Sequence, residues 1–319
     1  TRLVGSEMCI RDRKKVAVFG SFVVDLMARS PHLPVPGETV KGSMFKMGPG
    51  GKGFNQCVAA HKAGADVVMM TKIGTDTFAN VMLDTMTELN MPKDNIFITK
   101  ETETGIALIL VDENSSQNEI IIVPGACNTI TAEEVASVEN VIKECEYVLL
   151  QLEVNQDANE MIVDMANKYG CKVIMNTAPY APMTDEFLSK CYMVTPNEVE
   201  AEEITGVEVK DLDSAKQAAA YFREKGVTDV VITLGSRGVF VSSKGKEIVV
   251  PAYKVDAIDT TGAGDAFNGG LLAALSEGKE LWEAVRFANG LAALSVQRLG
   301  TTPSMPTREE IDKFLAEHE

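Results

Sequence analysis

The chain has 319 residues, of which 45% are hydrophobic and 24% charged, a composition typical of globular proteins with a sizeable core. Its formal net charge of −16 argues against a nucleic-acid partner, because binding a phosphate backbone requires a concentrated basic surface. The six cysteines form no C-x-x-C pair and the three histidines are scattered, so the sequence indicates no zinc site, redox pair or Ser-His-Asp triad.

The segment TRLVGSEMCIRDR, residues 1–13, lacks apolar periodicity and ends in mixed charge before the first strand-like pattern. We expect it to be a leader, tag or artefact outside a fold that covers residues 14–319. No apolar run reaches the roughly 18 residues that span a bilayer. We therefore expect a cytoplasmic protein with reduced thiols and no membrane partner.

Short buried-strand patterns alternate with helical patterns along most of the chain. The predicted strands cover residues 15–19, 67–71, 147–151, 172–176, 192–195 and 229–233, and the predicted helices cover residues 54–62, 78–89, 131–143, 156–169 and 214–225. Nearly continuous apolar strands that alternate with helices predict an α/β fold, in which helices cover both faces of a mostly parallel sheet. From Gly264 to the end, the pattern is strongly helical.

Two regions interrupt this alternation. Residues 28–47 contain three prolines and short extended pieces, and residues 105–111 and 119–123 predict a hairpin across a polar turn. Extended segments without crossover helices do not easily join a parallel sheet, so we predict a small β lid from about 24–48 and 104–123. A further hairpin is predicted at residues 238–241 and 247–250.

The segment DTTGAGD, residues 259–265, directly precedes a helical pattern. Gly262, Ala263 and Gly264 are small enough for consecutive backbone N–H groups to converge on an anion, and the helix N-terminus adds positive potential. Asp265 would then accept a hydroxyl proton as the oxygen attacks phosphorus, which is the role of the base in phosphoryl transfer. The alternative is a glycine-rich turn with Asp265 as a simple helix N-cap.

A second glycine cluster, GPGGKGFN at residues 48–55, also leads into a helix. Its glycines permit close approach of the backbone to a ligand, and Lys52 and Asn55 offer donors to hydroxyls or phosphate. The P-loop motif does not match, because Gly53 follows Lys52 where that motif requires Ser or Thr. A purely structural turn is the alternative.

Acidic side chains follow two of the predicted strands. Asp25 comes a few residues after the first strand, and Glu153 follows the strand that ends at Gln151. Ligands of open α/β sheets bind at the carboxyl ends of strands, and carboxylates accept hydrogen bonds from hydroxyls, so this pair suits a polyhydroxylated substrate. Solvated loop acids are the alternative.

Two further turns follow predicted strands. In TPNEVE, Asn197 and Glu200 lie one helical turn apart, which suits a Mg²⁺-bound water or ATP phosphates, or else a helix cap with acids in the first turn. In TLGSRG, residues 233–238, two glycines suit the edge of a nucleotide or the entry to a hairpin.

In chain order, GSFVVD, GGKGFNQ, QLE, TPNEVE, TLGSRG and DTTGAGDAFNGG resemble the ribokinase family of sugar kinases over residues 14–319. The resemblance implies a Rossmann-like three-layer α/β/α domain with a mostly parallel central sheet and a small β-sheet lid. In that family the lid also forms the contact of a homodimer. The implied reaction transfers the γ-phosphoryl group of ATP, with Mg²⁺, to the 5-hydroxyl of a pentose, ribose first among the candidates.

The resemblance also implies a role for individual residues. The implied catalytic set is the base Asp265 with the anion-hole amides of Gly262, Ala263 and Gly264. The implied sugar-binding residues are Val23, Asp25, Gly51, Lys52, Gly53, Asn55, Glu153 and Asp265. The implied nucleotide-binding residues are Asn197, Thr233, Gly235, Ser236, Gly238, Gly264 and Asn289. The implied metal-binding residues are Glu200 for Mg²⁺ through water, and Asp259, Thr261, Ser295, Arg298, Gly300 and Ser304 for K⁺ or another monovalent cation, several through backbone carbonyls.

One position departs from the family pattern. Ribokinases usually carry Asn two residues before the sugar-binding Asp, where this chain has Val23, and an unpartnered buried hydroxyl would cost about 1 to 3 kcal/mol. The related deoxyribokinases also have an apolar residue there, and TKIG at residues 71–74 and NSSQ at residues 114–117 resemble them. A kinase of 2-deoxyribose or another small sugar is therefore the alternative, and a non-catalytic sugar or nucleotide sensor is a more remote one.

Overall fold

In the computed structural model of the chain, residues 14–115 and 117–318 are described. The predicted leader, residues 1–13, lies outside them. The first half contains β1 (Val16–Phe19), β2 (Val23–Ser30), β3 (Met44–Gly50), α1 (Lys52–Lys62), β4 (Val67–Ile73), α2 (Thr77–Glu88), β5 (Ile96–Ile98), β6 (Thr104–Asp112), β7 (Asn118–Gly125), α3 (Ala132–Ser137), α4 (Glu139–Glu144) and β8 (Tyr147–Leu150). The second half contains α5 (Gln156–Tyr169), β9 (Lys172–Met175), α6 (Asp185–Ser189), β10 (Met193–Val194), α7 (Glu198–Thr205), α8 (Leu212–Glu224), β11 (Asp229–Thr233), β12 (Val239–Ser243), β13 (Lys246–Val250), α9 (Ala263–Ser276), α10 (Leu281–Ser295) and α11 (Arg308–Glu317).

Within the described residues, nine strands form the main sheet in the order β13-β12-β11-β10-β9-β8-β1-β4-β5. From β11 to β5 the pairing is parallel, and β12 and β13 add an antiparallel edge. The chain runs outward from β1 through β4 to β5 and then returns to the other side of β1 at β8. Because crossovers between parallel strands are right-handed, this reversal places helices on both faces, which confirms the predicted three-layer fold.

A second sheet of the described chain has four strands in the order β3-β2-β6-β7. β2 pairs in parallel with β6, and β3 and β7 add antiparallel edges. This is the small β-sheet expected from the segments without crossover helices. β2 begins at Val23, so Asp25 lies on a strand of this sheet, inside the segment 24–48 predicted for the lid and not on a solvated loop.

Helices α1 and α9 pack closely beneath the candidate site. A Cβ added at Gly269 would lie 2.5 Å from both the Ala59 Cβ and the Gln56 carbonyl oxygen. Glycine at this position therefore lets the two helix backbones approach where a side chain would separate them. The close approach brings the N-terminal turn of α1 beside the N-terminal turn of α9.

The secondary-structure prediction was wrong for one helix and missed one strand. The helix predicted over residues 131–143 is two helices, α3 and α4, divided at Val138, where Ser137 and β-branched Val138 are weak helix formers. The strongly helical pattern predicted from Gly264 is confirmed as three helices, and an irregular loop at residues 296–301 contributes to the site. The edge strand β5 was not predicted. Among the described residues, no helix combines the length and the apolar character needed to cross a membrane.

Candidate active site

The candidate site lies at the carboxyl edge of the main sheet, where the strand order reverses between β1 and β8. In open α/β sheets this reversal opens a crevice between loops that leave in opposite directions. The loop after β1 leads to Asp25, and the loop after β8 carries Glu153. The glycine-rich turns before α1 and α9 meet the same edge.

The turn before α9 has the geometry of an anion hole. Gly262 is the N-cap residue and adopts a positive φ of 78°, which favours glycine. Ala263, Gly264 and Asp265 form the first helical turn, whose backbone N–H groups lack intrahelical partners. A Cβ added at Gly264 would meet no atom within 4 Å, so this turn faces open space. The residues therefore fit a phosphoryl group.

Asp265 is buried, with 7% of its surface exposed. The Asn55 Nδ2 donates to its Oδ2 at 3.0 Å, and the Gln56 Nε2 donates to its Oδ1 at 2.9 Å. Burial raises the pKa of Asp265, while the Lys52 ammonium and the two amide donors oppose that rise. The N-cap alternative for Asp265 is wrong, because Gly262 holds that position and the Asp265 carboxylate is engaged by α1.

Asp25 faces the crevice from β2. The Thr301 hydroxyl donates to its Oδ2 at 3.4 Å and to the Pro49 carbonyl at 3.3 Å. Burial raises the pKa of Asp25 to about 6, and the nearby carboxylates of Glu153 and Asp265 add to the rise. A Cβ at Gly50 would collide with the Asp25 carboxylate, so a side chain at this position would displace the acid.

Glu153 is held by the turns after β1 and before α1. Its Oε2 accepts a 2.5 Å hydrogen bond from the Ser21 hydroxyl and a 2.9 Å bond from the Lys52 backbone N–H. Gly51, with φ 88°, and Gly53 pack so tightly against residues 20–23 that a Cβ at either would collide with backbone. These glycines fix the position of Glu153 relative to Asp25.

Lys52 lies among the acids of the crevice. Burial works to lower its pKa, but the carboxylates of Asp265, Glu153 and Glu200 outweigh burial and raise it. Burial also raises the pKa of Glu153, against the opposing effect of the Lys52 ammonium. The structure thus brings together five of the residues predicted to bind the sugar or act as the base: Asp25, Lys52, Asn55, Glu153 and Asp265. Val23 lies on the same strand as Asp25, with 5% of its surface exposed.

Asn197 and Glu200 form a capping box at the start of α7. The Glu200 N–H donates to Asn197 Oδ1 at 2.8 Å, and the Asn197 N–H donates to Glu200 Oε2 at 3.0 Å. The Thr177 hydroxyl also donates to Glu200. Burial raises the pKa of Glu200. Asn197 and Glu200 therefore form the helix cap that was the alternative interpretation. Glu200 also interacts electrostatically with Lys52 in the crevice, so its role toward Mg²⁺ and phosphate stays a prediction that is compatible with the cap.

The nucleotide-binding residues predicted at 233–238 are adjacent to this cap. An isolated parallel bridge joins Asn197 to Thr233, and the chain then turns through Gly235, Ser236 and Gly238. A Cβ at Gly238 would collide with the Val250 carbonyl. Asn289, on α10, donates to the Pro251 carbonyl at 3.1 Å, which ties α10 to the chain that leaves β13.

The predicted monovalent-cation residues lie on two segments that meet. Asp259 accepts 2.9 Å hydrogen bonds from the backbone N–H groups of Thr261 and Gly300. Burial works to raise the pKa of Asp259, but these donors outweigh it and lower the pKa. The Arg298 side chain pairs with Glu310 at 2.6 Å. Ser295 ends α10, and Ser304 donates to the Thr301 carbonyl at 2.6 Å.

Four polar residues of the site were not predicted from the sequence. Ser21 holds Glu153, Gln56 holds Asp265, Thr301 contacts Asp25, and Thr302 donates to Asn55 Oδ1 at 2.7 Å. Ser21 and Gln56 lie inside the motifs GSFVVD and GGKGFNQ, so these motifs could have indicated them. Thr301 and Thr302 lie in an irregular loop about 245 residues away from α1, so only the folded chain joins them to it.

Comparison with known proteins identifies the family of the chain. A model of the pfkB family of carbohydrate kinases matches residues 13–308. The chain is 42% identical over 303 residues to the ribokinase of Haemophilus influenzae, covering 95% of this chain and 99% of that protein. It is 35% identical over 305 residues to the deoxyribokinase of Salmonella typhimurium, with 95% and 99% coverage.

Among solved structures, Arabidopsis thaliana ribokinase complexed with ribose and ATP superimposes with a TM-score of 0.88 at 29% identity, over 95% of this chain and 99% of that one. Thermotoga maritima ribokinase gives a TM-score of 0.86 at 35% identity, with 95% and 99% coverage. The family match and these relatives extend over nearly the whole described chain. The chain therefore belongs to the pfkB family of carbohydrate kinases.

Proposed function

We propose that this chain is an ATP-dependent pentose kinase that phosphorylates the 5-hydroxyl of ribose, with Asp265 as the base. The observation that carries the proposal is the buried Asp265 carboxylate, fixed by two amide donors in the first turn of α9, beside the open space at Gly264. The ribokinases among its relatives, 35 to 42% identical, support ribose as the sugar.

In the proposed reaction, Asp25 and Glu153 accept hydrogen bonds from sugar hydroxyls and orient the sugar. Asp265 accepts the proton of the attacking hydroxyl, whose oxygen forms the new bond to the γ-phosphorus as the bond to the ADP oxygen breaks. The predicted amides of Gly262 and Gly264, with that of Asp265, stabilise the negative charge of the transferred group, whereas the Ala263 N–H donates to the Thr260 carbonyl at 3.2 Å. Lys52 adds a positive charge on the same side.

Metal ions would assist from two places. Mg²⁺, when bound with ATP, would neutralise phosphate charge, and Glu200 with Asn197 would hold it through water. Among the described residues, no group of three or more His, Cys, Asp or Glu lies where it could hold a metal ion. Phosphate oxygens and water would complete the coordination of Mg²⁺. K⁺ would bind the loops of Asp259, Thr261 and Gly300, beside the anion hole.

A deoxypentose is the second candidate substrate. The apolar Val23 side chain is buried two residues before Asp25, where it offers no hydrogen bond to a sugar hydroxyl. The 35% identity to the Salmonella deoxyribokinase supports the same candidate. Measuring kcat/KM for ribose and 2-deoxyribose side by side, with and without K⁺, decides both the sugar and the cation requirement.

We further propose a homodimer formed through the small sheet. The face of this sheet opposite to Asp25 carries exposed apolar side chains: Phe45, 68% exposed, and Ile121, 64% exposed, together with Met47, Leu108 and Val123. An apolar patch of this kind on a sheet marks an interaction surface. Sedimentation of the wild type and of Phe45→Glu tests the proposal, which fails if both are monomers at micromolar concentration. The buried, unpaired cysteines of the described residues support a cytoplasmic location.

The kinase proposal is tested by a coupled ADP-release assay over a panel of sugars. We expect sugar-dependent ADP release, and a loss of kcat of about 10² to 10⁴ in Asp265→Asn, because general-base catalysis is removed. Sugar and ATP binding measured by calorimetry should persist in the variant. Near-normal turnover of Asp265→Asn would refute the base assignment, and binding without turnover in the wild type would indicate a sensor instead.

The position of Asp25 on the small sheet also suggests that this sheet closes over the sugar as a lid and excludes water from the phosphoryl group. ATP hydrolysis without sugar should then be far slower than sugar phosphorylation. Equal rates would contradict closure.

A further inference from the structure

Gln56 is a buried side chain of α1 that the proposed reaction does not use directly. Its Nε2 donates to Asp265 Oδ1 at 2.9 Å and to Asn176 Oδ1 at 3.0 Å, and its Oε1 accepts from Gln151 Nε2 at 2.6 Å. Both amide hydrogens and the amide oxygen are therefore engaged, with none of its surface exposed. A fully engaged buried amide has one orientation available.

That orientation is fixed by the backbone. The Asn176 Nδ2 donates to the Thr195 carbonyl at 3.0 Å, which directs Asn176 Oδ1 toward Gln56. If the Gln56 amide were reversed, its oxygen would face two acceptor oxygens, and the Asp265 carboxylate would lose a donor. The strand-end carbonyl of Thr195 thus determines, through Asn176, which atom Gln56 presents to Asp265.

The same network of hydrogen bonds also reaches the backbone of the anion hole. The Thr195 hydroxyl donates to Asn268 Oδ1 at 2.6 Å, and the Asn268 Nδ2 donates to the Gly264 carbonyl at 2.9 Å. Gly264 directly precedes Asp265 in the chain. The ring of hydrogen bonds therefore ties the carboxylate of the base and the backbone of the anion hole to the ends of β9 and β10.

We propose that Gln56 is a positioning residue that orients the Asp265 carboxylate and holds it ionised for proton transfer, an inference that rests on the proposed base role of Asp265. A neutral donor to a carboxylate favours its charged form. The charged groups that face Asp265 are the Lys52 ammonium from α1, Asp25 from β2 and Glu153 after β8, with Glu200 acting on Lys52 from α7. Asp25 and Glu153 are acids, and their negative charge favours the protonated form of Asp265. A fixed donor such as Gln56 favours the ionised form and so opposes that effect.

The test compares Gln56→Leu and Gln56→Glu with Asn159→Leu as the matched control. Asn159 is a buried amide of α5 that donates to the Gln151 carbonyl at 2.8 Å and does not contact Asp265. The chemical step is measured by single-turnover quench flow at saturating ATP and sugar over pH 5 to 9. KM for both substrates and the melting temperature are measured in parallel.

We expect Gln56→Leu to slow the chemical step by about 10- to 100-fold, because the base is no longer aligned. KM for ATP should stay within about twofold, as an alignment effect on the chemical step predicts. The acidic limb of the rate profile should move to higher pH, since the ionised form of Asp265 loses a donor. Gln56→Glu should move the limb further, because two adjacent carboxyl groups share a proton.

Asn159→Leu should lower the melting temperature and leave the pH limb in place. An unmoved limb in both Gln56 variants, or the same shift in Asn159→Leu, would overturn the positioning role. If Gln56→Leu does not fold, the nearly isosteric Gln56→Glu carries the same readout. Absence of sugar-dependent turnover in the wild type would refute the proposed function, whereas an active wild type with an unmoved limb in the variants would refute this inference alone.

Discussion

The two aspartates of the candidate site, Asp265 and Asp25, are held in different ways. Asp265 lies on a helix of the main domain, and both of its carboxylate oxygens accept hydrogen bonds from amides of α1. Asp25 lies on the small sheet and accepts a long 3.4 Å bond from Thr301, with its pKa raised to about 6. The proposed base is thus fully positioned by the protein, whereas Asp25 retains acceptor capacity for hydroxyls.

This difference separates the residues proposed for phosphoryl transfer from those proposed for sugar recognition. The groups that position Asp265 come from α1 and from the ends of β9 and β10, which are buried in the main domain. The groups around Asp25 come from the small sheet and from the irregular loop at Thr301. Substitutions around Asp25 can therefore change which sugar is used without changing the phosphoryl-transfer machinery.

The sharpest test of this separation is Asp25→Asn. Two hydroxyl bonds to a carboxylate are lost, so kcat/KM for the sugar should fall about 100-fold or more, while KM for ATP changes little. Steady-state kinetics with each substrate varied in turn measures both. The matched control is Asp112→Asn, also on the small sheet, whose carboxylate accepts from the N–H groups of Asn114 and Ser115 away from the crevice. Equal losses in both variants would contradict a specific role for Asp25.

The pH dependence should report Asp25 separately. The ionised carboxylate accepts hydroxyl bonds, so kcat/KM for the sugar should fall as the pH drops below about 6, the pKa of Asp25. In Asp25→Asn the fall near pH 6 should disappear, and the limb that remains should be that of Asp265. A limb that persists unchanged in the variant would assign the titration to another group.

The titration of Asp25 should affect the stability of the fold in the direction opposite to its effect on activity. The folded pKa of Asp25, about 6, exceeds the ordinary value of 3.8, so its contribution to stability is present at pH below 3.8 and lost as the pH rises through about 6. At pH 7, Asp25→Asn should therefore raise the free energy of unfolding, by about 1 to 3 kcal/mol. Thermal melts at pH 7 and pH 4 measure the effect, which should shrink at pH 4. A lower stability at pH 7 would contradict the pKa direction.

Val23→Asn probes the sugar choice with a smaller effect. An amide next to Asp25 can bond an additional hydroxyl, so the ratio of kcat/KM for ribose to that for 2-deoxyribose should rise about 5- to 10-fold, the equivalent of one neutral hydrogen bond. Because 2-deoxyribose serves as the internal reference, a general loss of activity cancels from the ratio. An unchanged ratio would remove Val23 from the specificity determinants.

Thr301→Val should have the smallest effect. Its hydroxyl bonds to Asp25 and Pro49 are long, so we expect KM for the sugar to rise about two- to fivefold with kcat retained. Thr302→Val is the comparison, because its 2.7 Å bond supports Asn55 and hence Asp265, so it should lower kcat instead. The reverse pattern would contradict the division between the two aspartates.

The sequence by itself determined the fold class and predicted most residues of the candidate site. Apolar strands that alternate with helices specify a parallel sheet, and glycines before a helix allow backbone N–H groups to face an anion, because both depend on local chain geometry. Residues 50–56 and 259–265 were recognisable for this reason, and Asp25 and Glu153 were recognisable because they follow the apolar strands β1 and β8.

Only the tertiary structure decided how the side chains are paired. Asp265 is held by Asn55 and Gln56, more than 200 residues earlier in the chain, and Asp25 is contacted by Thr301 from a loop without a periodic pattern. No local signal specifies such pairs, because they depend on the close approach of α1 and α9 at Gly269. The motifs thus specify which groups are available, and the packing of helices on the sheet specifies which of them hold the base in place.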